Sequence, residues 1–154
     1  MLRKIVIIGA LLLAGISLTA CHSKEAKNTI KVGTIAGPET QLMAVAIKVA
    51  KQHYGLTVVD VPFSDYNTPN EALNDGSLDA NMFQHLPYLQ AQVKARGYKI
   101  VALGKTFLYP MGIYSKKITT LAQLKNGAKV AIPNDPSNEG RALLLLQKAH
   151  LIRL

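Results

Sequence analysis

Residues 30–61 read IKVGTIAGPETQLMAVAIKVAKQHYGLTVVDV. From Ile30 to Ile35 the chain alternates at a period of two, which predicts a strand. Ala36-Gly37-Pro38-Glu39 carries turn chemistry. From Thr40 to Tyr54 the period changes. Met43, Ile47, Ala50 and Tyr54 fall on one helical stripe, and Gly55 supplies a stop. Leu56 to Val61, rich in valine, predicts a second strand. Strand, helix and strand in succession form the unit from which parallel sheets are built.

The same alternation continues toward the C-terminus. Phe63-Ser64-Asp65-Tyr66-Asn67-Thr68-Pro69 reads as a loop and Asn70–Leu73 as a short helix ending near Asp75-Gly76. Leu78–Met82 predicts a third strand. A helix is expected from near Pro87 to Arg96, with Gly97 as its stop. Ile100–Leu103 predicts a fourth strand. Phe107–Ser115 is extended, interrupted by Pro110 and Gly112. Leu121–Leu124 reads as one helical turn and Lys129–Ile132 as a further strand. Asp135-Pro136 then caps and starts a helix carrying Leu143 to Leu146. The fold class is therefore α/β, with a mostly parallel sheet and helices on both faces. Ligands of such sheets sit at the loops beyond the strand C-termini. No internal repeat or low-complexity segment interrupts the pattern.

The N-terminus has a different character. Arg3 and Lys4 precede an apolar stretch, Ile5–Leu18, which is short for a membrane span and suited to a signal peptide. Leu18-Thr19-Ala20-Cys21 forms a lipobox: small residues that a processing enzyme can accommodate, then a thiol to carry lipid. Residues 1–20 are expected to be a lipoprotein signal peptide and residues 21–29 a polar tether, with Cys21 the lipidation site. A thioether-linked diacylglyceryl group plus an N-acyl chain would supply the two lipid signals that stable anchoring needs. Cys21 is the single cysteine, which excludes an internal disulfide. The formal charge is +9. The basic residues are scattered, as at Lys48, Lys94, Lys116 and Lys125, without a dense basic run interleaved with aromatics. Nucleic acid is therefore not an expected partner.

Three loop segments following strands carry the candidate binding chemistry. The first holds Tyr66. The second is Asn81-Met82-Phe83-Gln84-His85-Leu86-Pro87-Tyr88. Phe83 and His85, two apart at a strand end, point the same way. Tyr88, three residues further on, shares a side with His85 at the helix start. Together they can form an aromatic wall suited to a polarisable thioether, or they can simply pack a core. The third segment is Pro133 to Arg141. A helix start at Asp135-Pro136 offers free N–H groups and a positive dipole end. Asn138 and Arg141 share a face near it, and Arg141 can grip a carboxylate through two charge-assisted hydrogen bonds. The alternative for Arg141 is a surface pairing with Glu139 or with solvent.

Enzyme signatures are absent from the chain: no Gly-x-Ser-x-Gly, no Gly-rich phosphate loop and no His-Glu-x-x-His. His22, His53, His85 and His150 lack metal-ligand spacing. Asp75 and Asp79 read as turn residues. A non-enzymatic role with no cofactor and no metal is expected.

The runs IKVGTIAGPE, FSDYNTPNEALNDGSLDANMFQHLPYL, RGYKIVALGKTFLYPMGIYSKKI and VAIPNDPSNEGRALLLLQKAHLI together resemble the methionine-binding lipoproteins of the NlpA/MetQ family, from Ile30 to the last residue. The resemblance implies a type II periplasmic-binding-protein-like fold, with a first lobe over 30–108 and a crossover and partial second lobe over 109–154. It implies capture of methionine, L or D, by a lipid-anchored protein facing the periplasm or cell exterior, with an ABC permease and ATP-binding subunits as partners. It also implies that Tyr66, Phe83, His85 and Tyr88 hold the side chain, and that Asn138 and Arg141 hold the head group. The alternatives are a surface lipoprotein with an interaction or adhesive role and a non-functional fragment. Family members are longer, so the chain is expected to lack the remainder of the second lobe and the return to the first. A truncated gene, a frameshift and an incomplete sequence all fit. The Leu143–Leu146 face is then expected to lack its partner layer, with weak ligand binding or none.

Overall fold

The computed structural model describes residues 28–154; the expected signal peptide, Cys21 and most of the expected tether lie outside the described residues. Three strands, β1 (Thr29–Ile35), β2 (Thr57–Phe63) and β3 (Ala80–Asn81), form a parallel sheet in the order β2-β1-β3. Four α-helices follow the chain as α1 (Pro38–Tyr54), α2 (Thr68–Asn74), α3 (Leu86–Arg96) and α4 (Pro136–Lys148), with a 3-10 turn at Leu121–Gln123.

Local chemistry accounts for the helix limits. Pro38 starts α1 with a fixed φ, and Gly55 ends it at φ 63, a left-handed conformation that costs glycine little. Gly97 ends α3 in the same way at φ 70. Asp135 caps α4 by accepting the Asn138 N–H, and Pro136 opens its first turn.

The strand order determines where a crevice can form. β1 lies at the centre, paired Gly33 to Val61 on one side and Gly33 to Asn81 on the other. The chain steps from β1 outward to β2, then back past β1 to β3. Right-handed crossovers in these two directions put their helices on opposite faces of the sheet. Accordingly, α1 packs on β1 and β2, and α2 on β1 and β3. The change of direction falls between β1 and β3, and a crevice opens beyond their C-terminal ends. Gly33 permits the close packing beneath it: a Cβ there would stand 2.7 Å from Leu78 Cδ1 and 3.1 Å from Phe63 Cε2.

The core comprises Val32, Met43, Leu78, Tyr88 and Leu89, joined by Ala142 and Leu146 of α4. α4 packs against α3, so the expected bare leucine face is only partly bare: Leu146 is buried and Leu144 is 60% exposed. Two expected strands do not form. Ile100–Leu103 and Lys129–Ile132 pair with no strand among the described residues, and Val101 and Leu103 stand 77% and 89% exposed. A strand exists only where a neighbour satisfies its N–H and C=O groups. None of the described helices is long and apolar enough to cross a membrane.

Candidate functional site

The link from β3 to α3 runs through Met82, Phe83, Gln84 and His85, and it is held from behind by three amides. Asn70, fully buried in α2, donates from Nδ2 to Gln84 Oε1 at 2.8 Å. Its Oδ1 accepts from Gln84 Nε2 at 2.7 Å and from Asn81 Nδ2 at 3.0 Å. This cluster sets the path on which Phe83 and His85 are carried.

Tyr88, 2% exposed, sits at the centre of the rings. Tyr66 meets it edge-on at 5.5 Å between centroids, Phe83 edge-on at 6.3 Å, and His85 nearly parallel at 6.4 Å. The Tyr88 hydroxyl donates to the Tyr66 carbonyl at 3.0 Å. Tyr88 is thus both core and wall. Burial, with the Asp135 carboxylate nearby, pushes its phenol up to about 12. Burial and the Arg141 charge hold the His85 imidazole below its ordinary value, against a smaller opposing pull from Asp135. The ring is therefore neutral at pH 7 and presents no competing cation to the wall.

Asp135 joins the two sides of the crevice. Its Oδ2 accepts the Tyr66 hydroxyl at 3.3 Å, while Oδ1 accepts Ser137 Oγ at 2.6 Å and the Asn138 N–H at 3.0 Å. Burial pushes this carboxyl up, but the hydrogen bonds together outweigh burial and hold it below 3.8. The start of α4 differs from expectation here. Pro136 has no N–H, and Asp135 itself takes the Asn138 N–H, which leaves little for an external anion. The anion-binding role falls to the guanidinium. Arg141 donates to Asn138 Oδ1 at 3.1 Å and to the Tyr109 carbonyl at 3.2 Å. Both acceptors are neutral, and Glu139 is not its partner.

Tyr66, Phe83, His85, Tyr88, Asn138 and Arg141 all line one cavity of about 800 Å³. Sequence reasoning passed over Asp135 as a bridge, the Asn70–Asn81–Gln84 cluster and the Tyr109 carbonyl. The one signal for the cluster was its three amides before, within and after β3. Asp75 makes a local turn contact by accepting the Ser77 N–H, whereas Asp79 reaches across to accept the Lys31 N–H of β1.

The family model described as "NlpA lipoprotein" matches residues 30–154. The chain belongs to the NlpA lipoprotein family. The D-methionine-binding lipoprotein MetQ of Salmonella typhi is 57% identical to this NlpA chain over 148 residues, covering 96% of the chain and 54% of the relative. A periplasmic substrate-binding protein of an ABC transporter from Coxiella burnetii is 74% identical in the superposed region, with a TM-score of 0.76 over 81% of this chain and 53% of that one. A nutrient-binding protein from Burkholderia cenocepacia, solved bound to methionine, gives 58% identity and a TM-score of 0.76 over 81% and 52%. The NlpA chain thus has the α/β fold of substrate-binding proteins, and it spans about half the length of the curated relatives it matches.

Proposed function

We propose that this chain captures methionine, L or D, for an ABC importer, from a position outside the cell membrane where lipid on Cys21 anchors it. Residues 30–108 act as the first lobe and residues 109–154 as the crossover and part of the second. Permease and ATP-binding subunits receive the ligand. The observation that carries this reading is the shared cavity, in which one wall is aromatic and another presents Arg141 with neutral partners only. The names of the relatives and the methionine-bound Burkholderia protein support the same ligand.

The division of labour follows from the chemistry. The thioether packs among Tyr66, Phe83, His85 and Tyr88, where sulfur–ring contacts are worth about 0.3–1.5 kcal/mol each. Burying the side chain contributes roughly 1.5–3 kcal/mol. Arg141, positioned by Asn138, takes the carboxylate. Contacts made from both sides favour a closed crevice, by as much as the ligand prefers that state. The test is calorimetry of the purified chain with L- and D-methionine, wild type beside Arg141→Ala. Loss of a charge-assisted bond worth about 1.5–3 kcal/mol weakens binding by one to two orders of magnitude. Equal affinity in the variant rules out the carboxylate role.

A further inference from the structure

Arg141 leaves one half of an amino-acid head group unaccounted for. The cavity is rich in cations: Lys99, Lys105 and Arg141 all line it, and an ammonium group entering it is repelled unless a carboxylate is placed to receive it. Two acidic residues line the same cavity, Glu39 and Asp79. They differ in occupancy. Asp79 Oδ2 already accepts the Lys31 N–H at 2.7 Å. Glu39, half-buried, receives no hydrogen bond from any described residue.

Glu39 stands where the fold opens the crevice, in the first turn of α1 just beyond the C-terminal end of β1. Its position relative to Arg141 is tied through Tyr109. The Tyr109 carbonyl accepts from Arg141, and the Tyr109 phenol is raised by desolvation and, secondarily, by the Glu39 charge. A guanidinium with neutral acceptors and a carboxylate with no donor therefore border one cavity, next to one shared tyrosine. That is the charge pattern of a zwitterion in reverse. We propose that Glu39 receives the ammonium group of an α-amino acid whose carboxylate Arg141 holds across the same cavity. This rests on the reading of the cavity as an amino-acid site and adds the selection of free amino acids over simple carboxylic acids.

An acidic residue in a first helical turn also suits the helix dipole, so the test separates the two roles. Methionine and its des-amino analogue, the same thioether acid without nitrogen, are titrated into wild type, Glu39→Gln and Arg141→Ala. Wild type binds methionine about tenfold or more tighter than the analogue. Glu39→Gln loses most of that ratio while binding the analogue as well as wild type does. A helix-stabilising role alone would lower the melting temperature and leave the ratio unchanged, and that result overturns the proposal. So does a wild type that binds both ligands equally. Absence of methionine binding by wild type removes the amino-acid reading itself, and this inference with it.

Discussion

Replacing Asn70 by alanine tests whether the amide cluster holds the β3–α3 link. The side chain is fully buried and makes three hydrogen bonds, two to Gln84 and one to Asn81. At about 0.5–1.5 kcal/mol each, their loss sums to roughly 1.5–4.5 kcal/mol. Two bonds limit the damage: Asn81 Nδ2 keeps the Pro69 carbonyl at 3.2 Å, and Gln84 Nε2 keeps Asn81 Oδ1 at 3.2 Å. Gln84 Oε1 alone among the three amides' atoms in these bonds is left without a partner. The expected destabilisation is therefore about 2–3 kcal/mol. Urea unfolding followed by far-UV circular dichroism gives the midpoint and slope, and an unchanged slope assigns the change to stability. Gln84→Leu on its own breaks the same two Asn70–Gln84 bonds, so the double variant loses less stability than the sum of the two single variants. A single-variant loss under about 0.5 kcal/mol, or a double variant that is simply additive, would refute the cluster as a unit.

Two further outcomes follow from the geometry. Gly33→Val places branched carbons where even a Cβ stands 2.7 Å from Leu78 Cδ1, and it costs about 1–3 kcal/mol in the same unfolding assay. A neutral effect would show that the sheet centre is looser than described. Asp135→Asn keeps a capping oxygen but removes the charge. Because hydrogen bonds hold the native carboxyl below 3.8, its contribution is present above that pH and fades as pH falls through and below it. The stability gap between wild type and Asp135→Asn is thus largest at neutral pH and narrows as the pH falls into the acid range; a gap independent of pH contradicts the assignment.

What the sequence disclosed depended on distance along the chain. Helices bounded by their own punctuation were legible: Pro38 and Gly55 around α1, Gly97 after α3, Asp135-Pro136 before α4. So was the co-orientation of Phe83, His85 and Tyr88, since strand and helix periods place neighbours predictably. Contacts between distant residues left no such trace. Tyr66 and Asp135 meet although 69 positions separate them. Arg141 takes a backbone carbonyl at Tyr109, which no side-chain pattern announces. Val101 and Leu103 have strand-forming chemistry, yet pairing depends on a neighbour that the segment itself cannot specify. The amides of Asn70, Asn81 and Gln84 raised no expectation in the sequence, because burial, not residue type, makes them a cluster.

The central claim is that the aromatic wall takes the thioether end of methionine. Methionine carrying an isotope-labelled S-methyl group, titrated to saturation, reports its neighbours through nuclear Overhauser contacts. The account predicts contacts from the methyl to the rings of Phe83, His85 and Tyr88, with Tyr66 at the rim. A saturated complex whose methyl instead contacts Val93 and Lys94, in the groove between α3 and residues 100–102, would contradict it.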